Sequence, residues 1–153
     1  MPSGTPGIAD DERPLTPRGR KRFRAAARGL ARIMDRPDVL LTSPLPRAAE
    51  TAVIAARAFG KVEPRAERAL AGGGTEAIVA LLRRQPRDAT VAVVGHEPVL
   101  SQLLARLLGS GQAERFSFKK GGAALLDLPT EACSSGRLVW FLKPRILRSL
   151  GDG

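Results

Sequence analysis

The sequence predicts an α/β fold, a three-layer α/β/α arrangement around a mostly parallel mixed sheet. Three observations predict it. Short Val- and Leu-rich runs alternate with helical patterns over the first two thirds of the chain. Two of those runs, Asp38–Thr42 and Thr90–Val94, break sharply into helix starts. Beyond Gly109 the helical period gives way to two strand-like runs, Ala123–Leu128 and Leu138–Leu142, joined by P-T-E-A-C-S-S-G. That late pair brings antiparallel character to the end of the sheet. A length of 153 residues fits one domain with one core, 1–153.

Residues 1–14 are rich in Gly, Pro and acids and show no period, so they read as irregular. Thr16 and Pro17 then suit the N-cap and first position of a helix. Phe23, Ala27, Leu30 and Met34 carry its apolar period to about Asp35. Asp38–Thr42 is a short buried strand, ended by Ser43-Pro44. A helix over Pro46–Phe59 follows, with Ala49, Ala52, Val53 and Ala56 on one face toward the core. Lys61–Glu63 reads as a short strand. Gly72–Gly74 is a turn, and Thr75 is placed to cap a helix through Arg84. It lacks a following Lys-Ser/Thr, so it is not a phosphate-cradling P-loop. Strand Thr90–Val94 leads through Gly95 and His96 into helix Val99–Leu108, which Gly109 closes. The tail P-R-I-L-R-S-L adds a helical turn.

Composition excludes several classes. An apolar fraction of 43% suits a globular chain. No apolar run approaches the roughly 20 residues that span a bilayer, and the polar, acidic N-terminus does not resemble a signal peptide. Cys133 is the only cysteine, so the chain offers no internal disulfide, redox pair or zinc cluster. The cytoplasm is the expected compartment. The net charge of +10 comes from twenty arginines against five lysines. These cations are spread over helix surfaces and Tyr is absent, which argues for a solvated basic surface rather than a nucleic-acid footprint. The field still steers anionic substrates toward a cleft.

Val91–Ser101, V-A-V-V-G-H-E-P-V-L-S, holds the only histidine, His96. It falls just past the carboxyl end of a strand, where open α/β sheets bind ligands. The helix start beside it favours an anion through its free N–H groups and dipole. T-S-P-L-P-R-A-A-E-T-A, Thr42–Ala52, repeats this arrangement and sets Arg47 in the first turn of a helix. A cation there opposes the dipole. Arg47 is either a surface cation or an anion ligand, and convergence with His96 on one sheet edge favours the ligand. Glu97 is either an exposed first-turn carboxylate or a partner that orients an imidazole. In R-P-L-T-P-R-G, Arg13 and Arg18 have the reach to enter the cleft. Lys119-Lys120-Gly121-Gly122 is a solvated turn or part of the cleft mouth.

R-P-L-T-P-R-G, L-L-T-S-P-L-P-R-A-A-E-T-A, V-A-V-V-G-H-E-P-V-L-S and K-K-G-G-A-A-L-L-D-L occur in the order seen in the histidine phosphatase superfamily. Their combination resembles its SixA-type phosphohistidine phosphatase branch, from about Asp10 to Leu147. The resemblance implies a phosphoglycerate-mutase-like fold and dephosphorylation through a phosphohistidine intermediate, with no metal or cofactor. It implies a phosphorylated protein, or a small phosphoester, as substrate. Arg47 matches the family's phosphate-binding arginine at a helix start. His96 matches the second histidine of its pocket, which donates hydrogen bonds to the phosphoryl oxygens. Arg13 and Glu97 join them as candidate phosphate- or substrate-binding residues.

The chain also departs from the family. Its nucleophile lies in an Arg-His-Gly or Arg-His-Ala motif ending a first strand, and neither that strand nor a second histidine occurs here. Met1 falls where the loop after the motif belongs. The expectation is a phosphohistidine phosphatase whose sequence begins late, with the central strand of its sheet missing. A non-catalytic phosphate-binding relative and a basic nucleic-acid-binding domain are the alternatives. Asp10, Asp11 and Glu12 stand where a general acid falls in order.

Overall fold

The computed structural model describes residues 13–129 and 135–152. Cys133 and the acidic trio Asp10–Glu12 lie outside the described residues. Five α-helices and five strands follow one another as α1 Pro17–Ile33, β1 Val39–Thr42, α2 Pro46–Phe59, β2 Pro64–Ala66, α3 Gly74–Arg83, β3 Val91–Val94, α4 Val99–Leu108, β4 Ala123–Asp127, β5 Arg137–Leu142 and α5 Pro144–Asp152. No helix among them is long and apolar enough to cross a membrane.

The sheet is split. β2, β1 and β3 form a parallel sheet in that order, and β4 pairs with β5 in a separate antiparallel ladder. Both predicted kinds of pairing are present. Among the described residues, however, no strand pairs with the second edge of β3 or of β4. β1 has neighbours on both sides, and Leu40, Leu41 and Thr42 are buried. β3 has one neighbour, and all four of its residues stay half-exposed. That difference follows from one unpaired edge.

Alternation along the strands separates the layers. Val39, Leu41, Val91 and Val93 pack with Leu70, Ile78, Val79, Leu81, Leu103 and Leu107, an apolar cluster built largely from α3 and α4. α2 packs against β1, β2 and β3 and against α1, which in turn carries α5. Leu126 of β4 joins the α3–α4 cluster, and Gly136 N–H donates to the Leu107 carbonyl at 2.8 Å. The hairpin is therefore held to the end of α4 rather than by strand pairing.

Several elements begin where the sequence places them, because their signals are local. Thr16 Oγ1 accepts from Gly19 N–H at 3.0 Å, with Pro17 at the first helical position. Gly109 closes α4 in the left-handed region at φ 75°. Three expectations need correction. The short strand is Pro64–Ala66, not Lys61–Glu63, because Gly60 and Lys61 at φ 75° and 57° prolong the turn. Proline is tolerated at that edge, where it need not donate to the ladder. Thr75 does not cap α3, whose N-cap is Gly73 with no side-chain bond. On α2, Val53 is 40% exposed, and Ala48, Ala52, Ile54, Ala55 and Ala56 are buried. The buried face is rotated because α2 meets the sheet on one side and α1 on the other.

Candidate active site

β1 and β3 run parallel with Thr42 opposite Val94, so their carboxyl ends are level. Ser43 N–H extends the ladder to the Val94 carbonyl at 2.9 Å. The chain then turns into α2 on one strand and α4 on the other, which brings Ser43, Arg47, Gly95 and His96 to one sheet edge.

His96 Nε2 lies 2.7 Å from Ser43 Oγ. Ser43 is fully buried, and its Oγ also accepts from Leu45 N–H at 3.2 Å. The imidazole is thus tied to the loop that carries Arg47. Ser43 was invisible in the sequence, where Ser-Pro signals only a strand end. Its role depends on the β1–β3 register, which no local pattern encodes.

Arg47 occupies the first turn of α2, and no acidic residue shares that turn. Its Nε is shielded from solvent. Thr51 Oγ1 donates to the Arg47 carbonyl at 2.8 Å. One turn on, Glu50 anchors the segment that enters α1. Glu50 Oε1 accepts from Leu15 N–H at 2.7 Å, and Oε2 accepts from Arg20 at 3.0 and 3.2 Å. Arg20 Nη2 also donates to the Leu15 carbonyl at 3.0 Å. This closed set of bonds lays residues 13–15 beside the α2 start. Arg13, two residues from the clamp, has Nε and Nη2 shielded from solvent with no hydrogen-bond partner among the described residues. Leaving such donors unmade costs about 1–3 kcal/mol each, which an arriving anion would recover.

Glu97 turns back on its own helix. Its carboxylate accepts from Ser101 N–H at 2.8 Å, from the Ser101 hydroxyl, and from Phe118 N–H at 3.2 Å. Leu100 N–H donates to the His96 carbonyl at 3.0 Å. Two of the N–H groups expected to be free for an anion at the α4 start are therefore engaged. Glu97 acts as a clasp between α4 and the loop before β4, and Phe118 packs on Phe141 with the rings tilted at 35° and their centroids 4.7 Å apart. Lys119 and Lys120 are exposed on a turn closed by Gly122 N–H to the Lys119 carbonyl, and Arg18 is exposed on α1.

The Leu15 N–H bond, aided by Arg20, holds the Glu50 carboxyl below the usual glutamate range against the opposing effect of burial. A lowered folded-state value stabilises the fold above the unfolded carboxyl's pKa. That stability is lost as pH falls through the folded value. The expected result for Glu50→Gln is lower stability at pH 7, with the gap to the parent narrowing below about pH 4. Thermal unfolding across that range checks it, and a gap that stays constant with pH contradicts the clamp.

Residues 8–72 match the model for the histidine phosphatase superfamily (branch 1). An uncharacterized protein of Picosynechococcus sp. is 34% identical over 116 residues, which cover 74% of this chain and 70% of that protein. The crystal structure of a protein assigned as phosphohistidine phosphatase SixA from Agrobacterium tumefaciens superposes with a TM-score of 0.77 at 27% identity, covering 92% of this chain and 90% of that one. A protein from Nakamurella multipartitia with the same assignment gives 0.75 at 27% identity, with the same coverage. The level strand ends bearing Arg47 and His96 and these likenesses lead to one conclusion: the chain belongs to the histidine phosphatase superfamily, on its SixA-type side.

Proposed function

We propose that the chain carries the phosphate-holding part of a phosphohistidine phosphatase site, in which Arg47 and His96 receive the phosphoryl group of a phosphorylated protein or small phosphoester. The observation that carries this reading is the Ser43–His96 bond, which fastens the imidazole to the Arg47 loop at the carboxyl edge of the sheet. Arg47 supplies charge-assisted bonds to the phosphoryl oxygens. His96, held through Nε2, donates as charge develops on them. Arg13 is a second cationic arm, with buried donors suited to an anion. Glu97 positions His96 by fixing the loop that follows it. The chemistry we assign uses no metal, and the lone thiol suits the cytoplasm.

Turnover through a covalent intermediate needs an imidazole in line with the leaving group. In this reading His96 holds the phosphoryl group rather than attacking it, and the 153 residues contain no other histidine. In this reading a seam between β3 and β4 would take a strand ending in Arg-His-Gly that delivers one. The same single histidine favours a second reading, a phosphate-binding relative that does not turn over.

The test uses tungstate, a tetrahedral oxyanion, and the one imidazole signal this chain gives by NMR. Tungstate is expected to shift the His96 resonances. Arg47→Ala is expected to weaken binding about ten- to a hundredfold or more, from about 1.5–3 kcal/mol per charged hydrogen bond. An unmoved imidazole removes the phosphatase reading. With p-nitrophenyl phosphate and a phosphohistidine protein, the 153-residue chain is expected to show no turnover. Turnover abolished by His96→Ala would make His96 the nucleophile.

A further inference from the structure

Helix α1 carries seven cations and no carboxylate between Pro17 and Ile33. Arg18, Lys21 and Arg22 stand at i, i+3 and i, i+4 spacings, where like charges weaken a helix. Its first turn holds no acid either, although the dipole favours one. Three of the seven are engaged: Arg20 with Glu50, Arg28 with Asp152, and Arg32 with the Leu150 carbonyl. Arg18, Lys21 and Arg22 are exposed and have no hydrogen-bond or ion-pair partner among the described residues. With Ala25 and Arg28 they form one wall of a groove of about 340 Å³, and Arg148 and Asp152 of α5 form the other. From Arg18 to Arg28 the wall runs for about 15 Å, at 1.5 Å per residue. It starts at the end of α1 that the Arg20–Glu50 bridge ties to α2, one turn from Arg47.

We propose that this groove docks an acidic helix of the phosphorylated protein whose phosphoryl group enters the site. The partner's identity as substrate rests on the phosphatase reading, whereas the docking surface does not. Cations at positions 18, 21, 22 and 28 repeat the helical period, so they complement carboxylates spaced on one face of a helix rather than an irregular chain. The groove does not suit a nucleic-acid backbone. Asp152 sits within it, 3.5 Å from Arg28, and would repel a row of phosphates. No aromatic residue lines it to stack on a base. A carboxylate helix meets five cations there and places a neutral or basic residue opposite Asp152. Such a contact orients the substrate and raises its encounter rate.

The probe is a fluorescent helical peptide with glutamates along one face, compared with a scrambled peptide of equal composition. The peptide is expected to bind about tenfold more tightly than its scramble, and to weaken steeply as salt rises. The combined variant Arg18→Glu, Lys21→Glu and Arg22→Glu is expected to lose about tenfold or more, and Arg148→Glu, on another helix, to lose severalfold. Both variants are expected to keep the tungstate response of His96. Equal binding of the two peptides overturns the proposal. So does unchanged binding in both variants. Tighter binding of a DNA duplex, lost in the same variants, overturns it in favour of a nucleic-acid surface. A silent imidazole with intact peptide binding removes the substrate reading and leaves an acidic-helix surface of other purpose.

Discussion

Gly151→Ala is expected to destabilise the fold by about 3 kcal/mol, at the upper end of the usual cost of overpacking. Helix propensity points the opposite way, since alanine is favoured over glycine within a helix by roughly 0.5–1 kcal/mol. The packing of α5 on α1 decides the sign. A Cβ on Gly151 would lie 1.9 Å from the Ala25 carbonyl oxygen and 2.9 Å from Gly29 N. Across the crossing, a Cβ on Gly29 would lie 1.9 Å from the Leu147 carbonyl oxygen. These neighbours are backbone atoms, so neither helix can yield by turning a side chain. The helices must separate, and Leu147, now 1% exposed, loses its burial. At about 2–4 °C per kcal/mol, a midpoint lower by roughly 6–12 °C follows. Gly111→Ala is the control, because a Cβ there meets nothing within 4 Å. A midpoint for Gly151→Ala at or above that of the parent would show that α5 does not lie on α1 as described.

The same crossing shows what the sequence conceals. Phe23, Ala27, Leu30 and Met34 announce one apolar face of α1. The face that α5 covers includes Ala25 and Gly29, residues too small to register as a hydrophobic stripe. Only the backbone approach reveals it. Helix starts at Pro17 and Pro46, and the end at Gly109, were legible because each rests on the conformational limits of one residue. Arg47 and His96 were legible for a related reason. A strand that breaks into a helix start can carry a side chain to only one end of a parallel sheet. The Ser43–His96 bond, the Glu50 clamp on Leu15 and the inward turn of Glu97 were not legible. Each joins segments whose relative placement is set by strand register or helix packing. The cations of α1 read only as part of a basic surface spread over the helices, and the groove they line needed Arg148 and Asp152 from the far end of the chain.

Adding a strand to the seam is expected to have the largest effect. The form to compare carries, ahead of Met1, an apolar strand ending in Arg-His-Gly. Paired between β3 and β4, that strand supplies the imidazole that this chain lacks. It also gives Val91–Val94 and Ala123–Asp127 their second neighbours. Its new hydrogen bonds, at about 0.5–1.5 kcal/mol net each, roughly offset the ordering of its backbone at about 1–2 kcal/mol per residue. Burial therefore decides the balance. Two or three Val or Leu side chains, at about 1.5–3 kcal/mol each, bring roughly 3–9 kcal/mol. The extended form is expected to melt about 10 °C or more above the 153-residue chain. The 153-residue chain is expected to aggregate more readily through its open strand edges. Turnover of p-nitrophenyl phosphate should appear in the extended form alone. Arg47→Ala in that form should lower kcat/KM about ten- to several-hundredfold, at about 1.4 kcal/mol per decade. Equal, sharp transitions in the two forms would show that the added strand does not enter the sheet. A higher midpoint with no turnover would instead mean that the seam accepts a strand but the site is a holder of phosphate and not a catalyst.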